Sequence, residues 1–142
     1  MILYYDTSAL VKLLIDEQGS ELAKKLWDSG HPAASSILVY PEGRAALATA
    51  QRAGRLHQRG LKHSLETFEV LHEALLSLGV NERLVRAAGH HATEFGLRGY
   101  DAVHLATALG LAGQEPVLVT WDEDLARAAD SAGLATAGSS GW

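Results

Sequence analysis

The feature that most constrains this chain is its alternation of short apolar runs with longer segments of helical period. Ile2-Leu3-Tyr4-Tyr5 and Pro116-Val117-Leu118-Val119-Thr120 carry almost no polar interruption. Runs of that length and character fit strands covered on both faces, as in a parallel sheet. The second is the clearest strand in the sequence. Pro32-Ala33-Ala34-Ser35-Ser36 reads as a further short strand, and Leu134-Ala135-Thr136-Ala137 as an edge strand.

Parallel strands need crossover helices, and the intervening segments supply them. Thr7 or Ser8 caps a first helix with Leu10, Leu13 and Leu14 as its apolar stripe. A second helix starts at Gly19-Ser20, turns Leu22, Ala23, Leu26 and Trp27 inward and ends near Gly30. A third runs over 37–53 and closes at Gly54; its Pro41 is acceptable only in the first turn. Leu61, Leu65, Phe68, Leu71, Leu75 and Leu78 recur at helical spacing and predict a helix over 60–78, broken by Gly79-Val80-Asn81. Asn81 caps a helix to about Phe95, 96–100 is a turn, Asp101 opens a helix through Ala112, and 122–132 is a short helix. The tail over 138–141 reads as loose. This order predicts an α/β fold: a three-layer α/β/α sandwich with a mostly parallel sheet of four to five strands, built as one domain over 1–142.

Composition narrows the function classes. With 142 residues, 47% hydrophobic and 20% charged, the chain can bury a core and is not of disordered type. It has no cysteine, so disulfides and thiolate metal sites are excluded, and a reducing cytoplasm is the expected location. No stretch is apolar enough to span a membrane, and no basic residue precedes an apolar core as in a secretory leader. The net charge of −5 argues against gripping nucleic acid through a broad basic face, unless metal ions or a partner bring positive charge.

Four acids stand out by position. In an open parallel sheet, ligands bind beyond the carboxyl ends of the strands. Asp6 directly follows the first strand and Asp122 lies two residues past Thr120, so both belong at that edge. Glu42 lies in the first turns of the third helix, and Asp101 opens its own. Each alone has a plainer use: Asp6, Asp101 and Asp122 can cap helices, and Glu42 can be a solvated first-turn acid favoured by the helix dipole. Together they need compensation, because two carboxylates ~5 Å apart at an effective dielectric of about 20 repel by roughly 3 kcal/mol. Mg²⁺ or Mn²⁺, one or two ions, is the natural counter-charge for oxygen ligands. Of the four, Glu42 is the loosest placed, because Pro41 fixes the backbone before it.

The motifs carrying these acids resemble a known family. Asp6-Thr7-Ser8-Ala9-Leu10 after a strand, Val39-Tyr40-Pro41-Glu42-Gly43-Arg44, Tyr100-Asp101-Ala102-Val103-His104-Leu105-Ala106, and Val119-Thr120-Trp121-Asp122 resemble the PIN domain, and more narrowly the toxin ribonucleases of VapBC-type toxin–antitoxin pairs. The resemblance covers nearly the whole chain; the Asp101 and Thr-x-Asp segments are its most specific parts. It implies a metal-dependent endoribonuclease with Asp6, Glu42, Asp101 and Asp122 as catalytic, metal-binding acids. It also implies a homodimer and inhibition by a VapB-type antitoxin whose tail can bring a basic side chain to the acidic pocket. Ser8 and Thr120 match supporting polar positions and can orient an acid or a water; the plainer use is a cap or turn hydroxyl. The alternative within the fold is a catalytically silent PIN-fold binding module.

The remaining polar residues are less telling. His104, three residues after Asp101, reads as a packing histidine, with contact to the site as the alternative. His90 and His91 diverge by about 100° on a helix and cannot easily share an ion. His31, His57, His63 and His72 have no ligand spacing. Arg44, Arg52, Arg55, Arg59 and Lys62 form a basic segment. It reads as a solvated face or as a guide for the RNA backbone, with Arg44, Arg52 and Arg55 as the candidate contacts. Asp124 points to another side of its helix than Asp122, and Trp27, Trp121 and Trp142 are too scattered to make a stacking platform. An aspartyl phosphatase would need an acid where Ser8 stands and a lysine near the third acid; a receiver-like phosphoacceptor would need an acidic pair beside the first strand and a late lysine. Neither pattern is present.

Overall fold

The N-terminal apolar run becomes the middle of the sheet. In the computed structural model, which describes residues 1–139 and Gly141, β1 (Ile2–Tyr5) is buried throughout. It is followed by α1 (Thr7–Leu14), α2 (Ser20–Trp27), β2 (Ala33–Ser36), α3 (Val39–Arg52), α4 (Gln58–Ala74), β3 (Leu76–Leu78), α5 (Glu82–Phe95) and α6 (Gly99–Leu109). A 3₁₀ turn (Ala112–Gln114), β4 (Pro116–Thr120), α7 (Glu123–Ser131) and β5 (Ala135–Gly138) complete the described chain. The five strands lie in the order β3-β2-β1-β4-β5, and every pairing is parallel.

Strand alternation divides the core into two layers. Ile2 and Tyr4 pack on one face with Leu105, Leu118, Leu125 and Ala129, beneath α5, α6 and α7. Leu3 and Tyr5 pack on the other with Leu10, Leu26, Leu47 and Phe68, beneath α1 to α4. The predicted three-layer architecture is therefore the one observed. The strand order also fixes a switch point. From β1 the chain steps outward through β2 to β3, then returns to the other side of β1 for β4 and β5. The crevice between the carboxyl ends of β1 and β4 is where such sheets hold their ligands.

Four expectations need correction. The helix predicted through Leu78 ends at Ala74: Leu75 turns extended (φ −82°, ψ 141°), and Leu76, Ser77 and Leu78 pair with β2 instead. A helical period and a short edge strand are indistinguishable over three residues, and sheet pairing decides. The first helix is capped by Asp6, the plainer use considered for that acid, and not by Thr7 or Ser8; the Thr7 hydroxyl is buried without a partner among the described residues. The helix opened near Asp101 stops at Leu109 rather than Ala112. The tail is tied down at Gly138, which pairs with Thr120, and at Ser139, whose N–H donates to the Thr120 carbonyl (2.9 Å). Gly138 has φ +119°, and an added Cβ would lie 2.1 Å from that carbonyl oxygen, so only glycine fits. Ser140 and Trp142, on which the rest of the tail and one tryptophan reading fell, lie outside the described residues.

Candidate active site

Each of the four acids stands at the N-terminal end of a helix, on the carboxyl edge of the sheet. Asp6, 3% exposed, leaves β1 and caps α1. Its Oδ1 accepts from Ser8 Oγ (2.7 Å) and the Ala9 N–H (2.9 Å), and its Oδ2 accepts from Thr120 Oγ1 (2.6 Å). The Thr120 hydroxyl also accepts from the Asp122 N–H (3.0 Å), and Ser8 Oγ accepts from the Trp121 N–H (2.9 Å). Two hydroxyls thus stitch the end of β1 to the end of β4. Both donate to Asp6, so their own 3.4 Å separation is a spacing rather than a bond. The positions expected for Ser8 and Thr120 are those of residues orienting an acid.

Asp122 caps α7, its Oδ1 accepting from the Leu125 N–H (3.0 Å). Its Oδ2 meets Arg98 Nη2 at 3.0 Å, while Arg98 Nε meets Asp101 Oδ2 at 3.0 Å. One guanidinium therefore spans two of the acids. Glu42, in the first turn of α3, receives His104 Nε2 on Oε1 (2.8 Å). His104 lies three residues after Asp101 on α6, is 2% exposed, and contacts the Tyr4 hydroxyl through Nδ1 (2.7 Å). Glu42 thus joins the other acids through the α6 helix that also carries Asp101.

The electrostatics follow from burial. Loss of solvent pushes the Asp6 carboxyl above its ordinary range, against the pull of His104, the Thr120 and Ser8 hydroxyls and the Ala9 N–H. Asp101 is raised as well, first by burial and then by repulsion from Asp122, with Arg98 and His104 opposing. The Arg98 guanidinium is held more firmly protonated, chiefly by Asp101. Like charges are crowded here with little solvent to screen them.

The donor set fits a hard divalent cation in kind: carboxylate oxygens in excess of nearby positive charge, with no thiolate. As the side chains stand, no group of three or more His, Asp or Glu is close enough to hold one ion among the described residues. Arg98 lies between Asp101 and Asp122 and offsets part of their charge. Its side chain is 81% exposed, so it can leave at little cost.

The other candidates are engaged elsewhere. Arg44 pairs with Glu69 (3.4 Å), Arg55 with Glu17 (3.4 Å), and Arg52 donates to Thr49 Oγ1 (3.2 Å). None of these contacts reaches the four acids. Asp124 pairs with Arg127, away from Asp122 as its helical position required. Sequence reasoning missed two residues and misjudged a third. Arg98 read only as part of a turn, although its spacing to Asp101 is that of a helical ion pair. Tyr4 read only as strand. His104 is held between Tyr4 and Glu42, so the alternative of contact with the site holds over simple packing; its three-residue spacing from Asp101 was the signal for that, and nothing in the sequence links it to Tyr4 or Glu42.

Comparison with known proteins bears on this arrangement. The profile of the PIN domain matches residues 3–131. The chain is 42% identical over 136 residues to Ribonuclease VapC45 of Mycobacterium tuberculosis (strain CDC 1551 / Oshkosh), covering 96% of this chain and 94% of that protein. The crystal structure of Mycobacterium tuberculosis VapC20, described as a sarcin-ricin loop cleaving toxin, superposes with a TM-score of 0.68 at 18% identity, covering 96% of this chain and 98% of that one. The structure of VapBC-1 from nontypeable Haemophilus influenzae gives 0.66 at 19% identity, covering 96% and 97%. At those identities the two structures speak to the fold alone.

Proposed function

The chain belongs to the PIN domain family, and from that premise we propose that it is a divalent-metal-dependent endoribonuclease, the toxin of a VapBC-type pair. One observation carries the reading: four acids from distant parts of the chain stand at helix N-termini on the carboxyl edge of the sheet, with Asp101 and Asp122 bridged by the exposed Arg98 and Asp6 held by Ser8 and Thr120. Kinship with a protein named as a VapC ribonuclease supports RNA as the substrate.

In this reading Asp6, Asp101, Asp122 and Glu42 hold one or two Mg²⁺ or Mn²⁺ ions. A bound ion supplies water activation and neutralises charge on the phosphodiester. The residues of the chain do the positioning. Ser8 and Thr120 fix both oxygens of Asp6, so that carboxylate cannot rotate out of place. Arg98, once released from Asp101 and Asp122, is a cation that can meet a phosphate at this edge; Arg44, Arg52 and Arg55 remain candidate contacts for the RNA backbone.

Pairing with a VapB-type antitoxin and homodimer formation accompany this reading. The exposed apolar side chains Ile37, Val70, Val85 and Tyr100 give such contacts a surface to use. No helix among the described residues is long and apolar enough to cross a membrane, and an RNA substrate places the work in the cytoplasm. A silent PIN-fold binding module is the second reading, favoured by one observation: Arg98 already bridges two of the acids and offsets part of their charge.

The test uses purified protein free of antitoxin, incubated with structured and single-stranded RNA with and without Mg²⁺ or Mn²⁺. Cleavage that needs the ion and disappears in Asp6→Asn and Asp101→Asn is expected. Cleavage that persists in chelator, or in either variant, refutes the four-acid mechanism. A folded, metal-loaded protein that cuts nothing supports the silent module.

A further inference from the structure

We propose that His104, itself fixed by Tyr4, is the positioning residue for Glu42, presenting a ring N–H that holds one carboxylate oxygen and leaves the other facing the site. This role rests on the metal-dependent reading of the acids.

A buried imidazole is costly unless both nitrogens find partners. His104 sits between Val103 and Leu105 at 2% exposure, and both its nitrogens are satisfied. Tyr4 is fully buried, and its oxygen accepts the Ser36 N–H at 3.1 Å. An un-ionised phenol has a proton to give, and the Glu42 carboxylate on the far side of the ring can only accept, so Tyr4 serves as the donor to the imidazole. Its proton is directed at His104 Nδ1, 2.7 Å away. The ring proton then resides on Nε2, 2.8 Å from Glu42 Oε1.

The placement of these residues favours positioning over simple packing. His104 belongs to the helical layer on one face of the sheet and Glu42 to a helix of the other layer; they meet across the carboxyl edge, where the ligand crevice lies. The His104 contact engages Oε1 of Glu42 only. A glutamate free to turn about three torsions loses entropy when it takes a ligand. A donor fixed beforehand removes part of that loss. The tautomer matters: an N–H on Nδ1 instead would leave an acceptor facing a carboxylate.

Three variants and one spectrum test this. His104→Leu removes both nitrogens at similar volume, His104→Gln restores an N–H donor near the place of Nε2, and Tyr4→Phe removes the hydroxyl that sets the tautomer. The readouts are Mn²⁺ affinity by calorimetry, RNA cleavage, and the ring nitrogens by long-range ¹H–¹⁵N correlation, with the His104 signals assigned by their loss in the Gln variant. The wild type should show the Nε2–H tautomer. His104→Leu should weaken Mn²⁺ binding by about 10- to 100-fold, His104→Gln should recover most of that, and Tyr4→Phe should mix the tautomers. In a Glu42→Ala background, His104→Leu should cost no further affinity, because the histidine acts through that glutamate. An Nδ1–H tautomer in the wild type, a Gln variant no better than Leu, or an undiminished Leu effect without Glu42 overturns the role. If His104→Leu fails to fold, the wild-type tautomer and the Gln variant still decide. Wild-type protein that neither binds Mn²⁺ nor cuts RNA defeats the metal-dependent reading and this role with it; normal binding and cutting with indifferent His104 variants defeats this role alone.

Discussion

Substituting Asp6 by Asn and by Ala separates its work as a helix cap from its work as a charge. Both changes remove the negative charge, so the gap between them isolates the hydrogen bonds. Asn keeps an acceptor oxygen for Ser8 Oγ and the Ala9 N–H, whereas Ala strands those donors and the Thr120 hydroxyl. Losing an N-cap costs about 1 kcal/mol, and a buried hydroxyl left without its acceptor adds roughly 1–2 kcal/mol. Ser8 and Thr120 stand close enough to satisfy one another in part. The Ala variant should therefore be about 2–3 kcal/mol less stable than the Asn variant, or about 6–12 °C lower in Tm for a chain of this length. Against wild type, the comparison depends on pH. Burial raises the folded-state Asp6 carboxyl above its unfolded value, so its favourable contribution is complete below the unfolded value and is lost as pH rises through the folded one. The Asn variant should accordingly gain on wild type as pH rises from the acid range toward neutrality. Thermal melts in chelator across that range, with RNA cleavage run in parallel, provide the assay; both variants should be inactive. An Asn variant as unstable as Ala, or an Asn advantage that shrinks as pH rises, refutes the account of Asp6 as a capping residue that carries a buried charge.

Saturating Mn²⁺ should raise the wild-type stability by about 2.7 kcal/mol at a hundredfold excess over Kd, seen as a higher Tm by calorimetry, and should do far less for Asp101→Asn; an unmoved wild-type Tm counts against metal binding. Arg98→Met should push the Asp101 carboxyl still higher in metal-free protein, since Arg98 is among the groups that hold it down; carboxyl ¹³C titration reads this, and an unchanged or lowered value means the Arg98 bridge is absent in solution. Gly138→Ala should cost about 2 kcal/mol or more by denaturant melts, because the backbone there is left-handed and the new methyl meets the Thr120 carbonyl; a neutral result would mean that β5 is not anchored against β4 as described.

The strands and most helices were legible because their signals are local. Ile2 to Tyr5 is apolar at every position, and no helix or turn competes for it. Asp6 and Asp122 could be placed because the carboxyl edge of a parallel sheet is defined by chain direction alone. Leu76 to Leu78 was not legible: the leucine period continues through it, and only the unpaired edge of β2 makes it a strand. The partners of the acids were equally hidden. Arg98 approaches Asp122 across 24 positions, His104 approaches Glu42 across 62, and Tyr4 approaches His104 across 100. Pairings of that range depend on which helices become neighbours, and helix packing leaves no mark on any one segment.

The way the acids are mounted sets how far the fold alone can tolerate them. Asp6 and Asp122 cap α1 and α7, while Asp101 and Glu42 lie in the first turns of α6 and α3. A helix N-terminus stabilises a nearby carboxylate by about 0.3–1 kcal/mol, whereas one pair of carboxylates ~5 Å apart repels by roughly 3 kcal/mol at an effective dielectric of about 20. Helix ends can aim such a cluster but cannot neutralise it. Burial first, and then this unrelieved repulsion from Asp122, raises the Asp101 carboxyl even with Arg98 between the two acids. The cation that bridges the pair, Arg98, is left mostly in solvent. A buried, tightly packed arginine would be costly to displace, while an exposed one can give way to another cation at little cost. On the metal-dependent reading, the same crowding of carboxylates is what would favour a divalent cation over the arginine.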